Sequence, residues 1–188
     1  MIKFSNNAWT LIIRHLILMS LCILSVTTLT SYASDKTDSW QASINSLGPI
    51  QIGMSLPTLT SLVGELEQQK GDGEGCVYYS ALNSEREVSF MLFEGRLVRI
   101  DIYSRKTETL SSLRVGDSTE RIKQIYDGSL KTITHPNNPD SELLSLHSSA
   151  PTLNNYRIVF EANNGIVTNY RLGLLPYVNW LDGCTGER

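Results

Sequence analysis

Residues 50–64, IQIGMSLPTLTSLVG, and residues 113–128, LRVGDSTERIKQIYDG, carry the same order of residue types, and that likeness decides the fold. Each has an apolar approach, a glycine, one residue, a serine, an amphipathic stretch and a closing glycine. Gly53 matches Gly116, Ser55 matches Ser118 and Gly64 matches Gly128, at offsets of 63, 63 and 64. Further on, SFMLFEGRLVRIDIY (89–103) is matched by RIVFEANNGIVTNYRL (157–172), with Gly95 and Gly165 at an offset of 70. The extra residues fall around THPNNPDSE (134–142), as expected of a loop insertion. A fixed period of this length marks two diverged copies of one supersecondary unit.

Each copy opens with a short helix. Leu56, Leu59, Leu62 and Val63 recur at helical spacing in the first, with Ser55 placed to cap it and Gly64 to stop it. In the second, Ile122, Ile125 and Tyr126 form the stripe, and Asp117 and Glu120 have capping-box spacing. Helices of about three turns need a sheet to cover their apolar faces. Alternation predicts strands at 77–82, 88–93 and 97–103 in copy one, and at 129–134, 143–147, 156–162 and 166–172 in copy two. FEGR and ANNG supply the Gly and Asn of tight hairpins. The expected class is α+β: two diverged repeats, each a short helix followed by an antiparallel meander, with the helices on one face. Repeat one covers about 47–110 and repeat two about 111–188.

At the other end, Lys3 and Arg14 flank a start without acidic residues, and LILMSLCILSV runs from Leu16 to Val26. That run fits the core of a signal peptide and is too short to span a bilayer. Ser31 and Ala33 are the small residues a signal peptidase reads, so residues 1–33 are expected to be removed after Ala33, an uncleaved anchor being the alternative. Residues 34–46 read as a flexible lead in which only Trp40 is suited to dock. The chain holds 16 Lys+Arg and 19 Asp+Glu; cleavage removes Lys3 and Arg14 and no acid, taking the formal charge from −3 to −5. A balance this acidic argues against nonspecific binding to nucleic acid or anionic lipid. Cys22 leaves with the signal, and Cys76 and Cys184 remain. In an exported chain an even pair is expected to be bridged, two free buried thiols being the alternative. The expected location is periplasmic or secreted, without a stable membrane anchor.

A helix and a meander given twice resemble the tandem secreted β-lactamase inhibitor proteins, and the single unit resembles the small SmpA/OmlA outer-membrane assembly lipoproteins. The matching feature is the IGMS and VGDS approach to each helix. LGPIQIGMS, FEGRLVRIDI and RLGLLPYVNWLDGC also resemble uncharacterised bacterial secreted proteins from about Leu47 to Cys184. The resemblance implies a fold and export, and no activity. This chain departs from the lipoproteins in lacking a lipidation site, and from the inhibitors in having 2 cysteines after cleavage, too few for a bridge in each repeat.

The sheet face away from the helices is the candidate surface. Alternation sends Leu97, Arg99, Asp101 and Tyr103 there, and in copy two Arg157, Val159, Glu161, Asn169 and Arg171. Arg99, Asp101, Tyr103, Arg157, Glu161 and Arg171 are thus expected to share one open face that binds an envelope protein or other cell-envelope component, without a cofactor. A solvated face of cross-strand ion pairs is the alternative reading. His135, Asp140, Glu142 and His147 are the candidate metal ligands, although their spacing matches no metal signature. A metal-dependent or hydrolytic enzyme at the 135–147 loop is the second functional reading. GxSxG, HExxH, a phosphate loop and CxxC are absent from the sequence.

Overall fold

Two tight turns set the sheet. Glu94–Gly95 and Asn164–Gly165 both take positive φ, +49° and +75° in the first and +49° and +76° in the second. Two successive left-handed residues are what a two-residue hairpin needs to match the twist of its strands. The turns pair Phe93 with Arg96 and Asn163 with Ile166.

The computed structural model describes residues 40–69, 71, 74–82, 86–136 and 138–185. The expected signal segment 1–33 and the expected cleavage after Ala33 lie outside them. In chain order the elements are β1 (Ser46–Leu47), β2 (Ile50–Gln51), α1 (Leu56–Val63), β3 (Leu66–Gln68), β4 (Cys76–Ala81), β5 (Val88–Phe93) and β6 (Arg96–Ile102). After these come α2 (Thr119–Ile125), β7 (Leu130–His135), β8 (Asn138–His147), β9 (Tyr156–Asn163) and β10 (Ile166–Leu174), with short 3₁₀ turns at Pro151–Leu153, Tyr177–Asn179 and Gly183–Thr185. β1 and β2 make a small ribbon, and the other eight strands form one antiparallel sheet in the order β3-β4-β5-β6-β10-β9-β8-β7. At its centre β6 meets β10, with Ile102 opposite Tyr170, Asp101 opposite Arg171, Ile100 opposite Leu172 and Arg99 opposite Gly173.

The backbone bonds that attach each helix to the sheet correspond. Gly53 N–H donates to the Leu97 carbonyl at 2.7 Å, and Leu97 N–H to the Met54 carbonyl at 2.8 Å. Gly116 N–H donates to the Val167 carbonyl at 2.8 Å, and Val167 N–H to the Asp117 carbonyl at 2.9 Å. Ser55 caps α1 by accepting from Thr58 N–H, and Ser118 caps α2 by accepting from Arg121 N–H. The expected Asp117–Glu120 capping box is not made, because Asp117 Oδ2 accepts from the Arg114 N–H at 2.9 Å, one turn of chain earlier.

Leu59 of α1 and Ile122 of α2 are fully buried in one cluster with Phe90, Ile100, Phe160, Tyr170 and Leu172. Each such side chain contributes roughly 1.5–3 kcal/mol by burial. The helical stripes are narrower than expected: Leu62 is 40% exposed and Ile125 42%. The sheet departs from simple alternation at two bulges, besides a register shift at Thr134–His135 near the tip of the β7–β8 hairpin. Met91 pairs with Arg99 and Leu92 with Leu97, so Val98 is the extra residue in β6; Thr168 is the extra residue in β10. A bulge changes the face on which the next residues of its strand lie. Leu97 therefore joins the helix-side cluster, contrary to expectation, while Val98 packs on the opposite face with Met91, Cys76 and Cys184.

Two further expectations are corrected. From Trp40 onward the lead is not flexible: Ala42 is 1% exposed, its N–H donates to the Glu108 carbonyl at 2.8 Å, and its carbonyl accepts from Leu110 N–H at 3.0 Å. The Arg86 guanidinium also lies over the Trp40 ring, 4.1 Å from its centroid. The 134–142 insertion is not a loop but extends a hairpin, since β7 runs to His135 and β8 begins at Asn138.

Glu94 holds a left-handed backbone that costs an ordinary L-residue about 1–2 kcal/mol and suits Asn better. Replacing Glu94→Asn, to match Asn164, should raise stability by roughly 0.5–1 kcal/mol, and Asn164→Glu should lower it by a similar amount. Urea midpoints measure both; no change in either would show that these turns do not restrain the hairpins.

Candidate functional site

On the face away from the helices the strand register aligns one row of residues across the whole sheet. It reads Glu67, Ser80, Ser89, Asp101, Arg171, Val159, Ser145 and Lys131, from β3 to β7. Arg99 lies beside this row on β6, and Glu161 beside it on β9, next to Arg171. The sheet therefore does bring most of the expected charged residues together on one side.

That side is not open. After β10 the chain turns back, and Leu175–Thr185 lies across it. Val178 is fully buried against Leu143 and Val159, and Tyr177 packs at a tilt and Trp180 edge-on against Phe93. The segment ends at Cys184, which is bonded to Cys76 in β4 with the two Cα atoms 5.4 Å apart. Under this cover Arg99 is 4% exposed, Asp101 2% and Arg171 2%. The physical reason lies in the segment's carbonyls. A buried stretch of 3₁₀ and irregular backbone needs donors, and guanidinium groups supply several in a fixed fork. Arg99 Nη1 donates to the carbonyls of Trp180 (2.5 Å) and Tyr177 (3.3 Å), and Arg171 Nε donates to that of Val178 at 2.7 Å.

The remaining guanidinium donors meet carboxylates. Arg99 Nε and Nη2 both donate to Asp101, at 2.9 and 2.5 Å to Oδ1. Arg171 Nη1 donates to Glu161 Oε2 at 3.2 Å. Burial opposes the charge on Arg99, but Asp101 and Tyr78 outweigh it, and its pKa is raised. Arg171 is lowered, first by burial and then by the like charge of Arg99, with Asp101 and Glu161 offsetting only part. The Tyr78 phenol is raised from 10.0 by burial and by Asp101, which also accepts a hydrogen bond from it. The other two predicted residues lie at the margin. Tyr103 is 49% exposed, and Arg157 Nη1 donates to the carbonyls of Asn154 and Tyr156 at 2.6 and 2.7 Å.

A groove opens on each side of the crossing segment. The one over β4–β6 is broad and polar, about 500 Å³, lined by Gln69, Tyr78, Ser80, Ser89, Tyr103 and Asp182 among others. The one over β7–β9 is about 240 Å³ and reaches from Lys131 to Arg171. Sequence reasoning missed both, together with the covering segment. The signal available was the apolar content of LLPYVNWL just ahead of Cys184.

The four metal candidates are spread along the β7–β8 hairpin. His135 pairs with Asn138 at its tip, Glu142 accepts from Lys123 Nζ at 3.1 Å, and His147 pairs with Arg157 at the far end. Five residues of strand separate Glu142 from His147, about 17 Å at ~3.3 Å per residue. Among the described residues no three of His, Cys, Asp and Glu are grouped to hold a metal ion.

No family model and no curated protein matches the chain. Solved structures do. An extracellular protein containing a SCP domain from Bacillus anthracis str. Ames is 10% identical, with a TM-score of 0.46 over 66% of this chain and 44% of that one. The uncharacterized protein yfeY from Escherichia coli is 10% identical, with a TM-score of 0.48 over 71% and 99%. A candidate beta-lactamase inhibitor protein from Streptococcus mutans is 14% identical, with a TM-score of 0.27 over 72% and 90%. This chain thus spans less than half of the Bacillus anthracis protein. The expected likeness to the SmpA/OmlA lipoproteins has no family match behind it.

The buried charges set two expected outcomes. Asp101→Asn leaves Arg99 buried without its counter-charge and should cost about 3–5 kcal/mol, whereas Glu142→Gln at the surface pair should cost under about 1 kcal/mol. Similar urea midpoints for the two variants would contradict the burial of the Arg99–Asp101 pair. Because the folded pKa of Tyr78 lies above its unfolded value, its contribution is complete below about pH 10 and is lost as pH rises beyond it. Stability should therefore fall above pH 10, less steeply in Tyr78→Phe; an identical slope in that variant would count against its burial.

Proposed function

We propose that the protein is an exported, non-catalytic binding module that engages another macromolecule of the cell envelope through the strapped face of its sheet. The observation that carries this reading is the polar groove over β4–β6, open to solvent beside a tail that the Cys76–Cys184 bond holds in place. The exposed ring of Tyr103 stands in the groove beside Tyr78, and aromatic side chains of this kind are favoured at protein interfaces. A surface built on strands and fastened at its loose end loses little conformational entropy on binding. The disulfide supports an oxidising compartment, and with it the export read from residues 1–33. Because the thiols are spent in that bond, neither is offered as a nucleophile.

The same reading takes the two halves as diverged copies of one helix-and-meander unit. The paired Gly53–Leu97 and Gly116–Val167 bonds, the two turns of equal φ and the bulges at Val98 and Thr168 support it. These features recur at the offsets seen in the sequence.

Capture from an envelope extract tests the binding face. The immobilised protein should retain a partner that Tyr103→Ser loses by roughly fivefold or more, about 1 kcal/mol in affinity, while Leu110→Ser, at an exposed position elsewhere, retains it. Equal recovery with Tyr103→Ser would overturn the assignment of this face. Intact mass of the exported protein should show Ser34 as its first residue.

A further inference from the structure

We infer that the groove over β7–β9 is a binding site for a carboxylate carried on a short apolar body. This goes beyond the macromolecular reading above and concerns the opposite flank of the crossing segment, so neither test decides the other. The floor of the groove is part of the long cross-strand row: Lys131, Ser145, Val159 and Arg171 stand side by side on β7, β8, β9 and β10. From first to last this is about 14 Å, at ~4.8 Å between strands. Ile133, Leu143 and Leu181 complete apolar walls around it. Among the described residues that line it there are two cationic side chains and no Asp or Glu.

Arg171 is the decisive group. Its Nε is taken by the Val178 carbonyl and its Nη1 by Glu161, but Nη2 is buried and meets no acceptor among the described residues. An orphaned buried donor is rare in native proteins and calls for an explanation. The two carboxylates beside it are already committed: Asp101 receives the Arg99 fork, and Glu161 holds Nη1. Among the described residues no acceptor meets Nη2, and the groove is the opening that Arg171 lines. A carboxylate oxygen would give Nη2 a charge-assisted hydrogen bond, stronger than one to a neutral acceptor. Exposed Lys131 at the other end of the row draws an anion toward the groove. The volume of about 240 Å³ equals about eight liquid waters, room for a carboxylate with a leucine-sized group and below the ~300–1,000 Å³ of drug-sized sites.

The test is an NMR titration of the ¹⁵N-labelled protein at neutral pH with four probes: hexanoate, hexanol, N-acetyl-L-leucine and N-acetyl-L-leucinamide. At least one acid should give saturable shifts at Ile133, Leu143 and Val159 and bind roughly tenfold or more tightly than its neutral counterpart. Tighter hexanoate would identify a free aliphatic acid as the source of the carboxylate, and tighter N-acetyl-L-leucine a peptide C-terminus. Arg171→Gln can cost the fold, so the variant of choice is Lys131→Glu, on the exposed edge strand. It should weaken the acid by about fivefold without moving the urea midpoint. Neutral probes that bind as well as the acids would overturn the inference. So would shifts confined to the β4–β6 flank, the absence of saturation at tens of millimolar, or an acid affinity unchanged by Lys131→Glu.

Discussion

The pairing of β6 with β10 is the contact on which everything else rests. Each half alone would be a four-stranded sheet with one short helix, a unit whose apolar cover is a single fully buried helical side chain, Leu59 or Ile122. Joined at this seam, the halves share one cluster in which Ile100 and Ile102 from one side meet Tyr170 and Leu172 from the other. The approach is close enough to select its residue. A Cβ at Gly173 would stand 2.5 Å from the Val98 carbonyl oxygen and 2.9 Å from the Arg99 Cα, so a side chain there would force the two strands apart. The bulge at Val98 lies beside this contact and bends β6 where it must run alongside β10.

The seam also places charge where the chain needs it. Asp101 and Arg171 are opposite one another across it, and Arg99 stands two residues before Asp101 on the same face. With Glu161 paired to Arg171, four charges in so small a space would be costly if solvent were simply removed from them. They are retained because the returning tail brings carbonyls that guanidinium groups can satisfy, and because two of the charges are carboxylates. The tail and the charges thus account for each other: without the guanidinium donors the Val178 carbonyl would lose its partner and those of Tyr177 and Trp180 would keep only the N–H groups of Trp180 and Gly183, and without the tail the arginines would be surface residues.

Much of this was legible in the sequence, for identifiable reasons. FEGR and ANNG announced their hairpins because few residues other than Gly and Asn tolerate the backbone those turns require, and the strand at 88–93 was evident from plain alternation. Cys76 and Cys184 were the only cysteines left to pair once the leading segment was set aside. The features that could not be read depend on register. Alternation assumes an unbroken ladder, and a single extra residue at Val98 or Thr168 moves its strand neighbours to the other face, which is why Leu97 was assigned to the wrong side. β1 and β2 are two residues each and carry no periodicity at all. Arg99, Asp101, Glu161 and Arg171 do lie together, as alternation placed them, but the closure over them was not foreseen. That closure depends on where an apolar tail lies down, which no local pattern states.

The bond between Cys76 and Cys184 has a mechanical consequence. Tension applied between Trp40 and the C-terminal end would enter at Thr185, pass to Cys184 and cross directly to Cys76. β4 through β10, together with α2 and the tail, lie inside a covalent loop whose ends are 108 residues apart, and once the hydrogen bonds from Ala42, Gly53 and β3 to them have broken they would carry none of that load. Only the ribbon, α1 and β3 stand in the line of force. The strapped face and the groove over β7–β9, all of whose lining lies inside the loop, would keep their shape under a pull that unravelled the first part of the chain, whereas the groove over β4–β6 would lose Gln69.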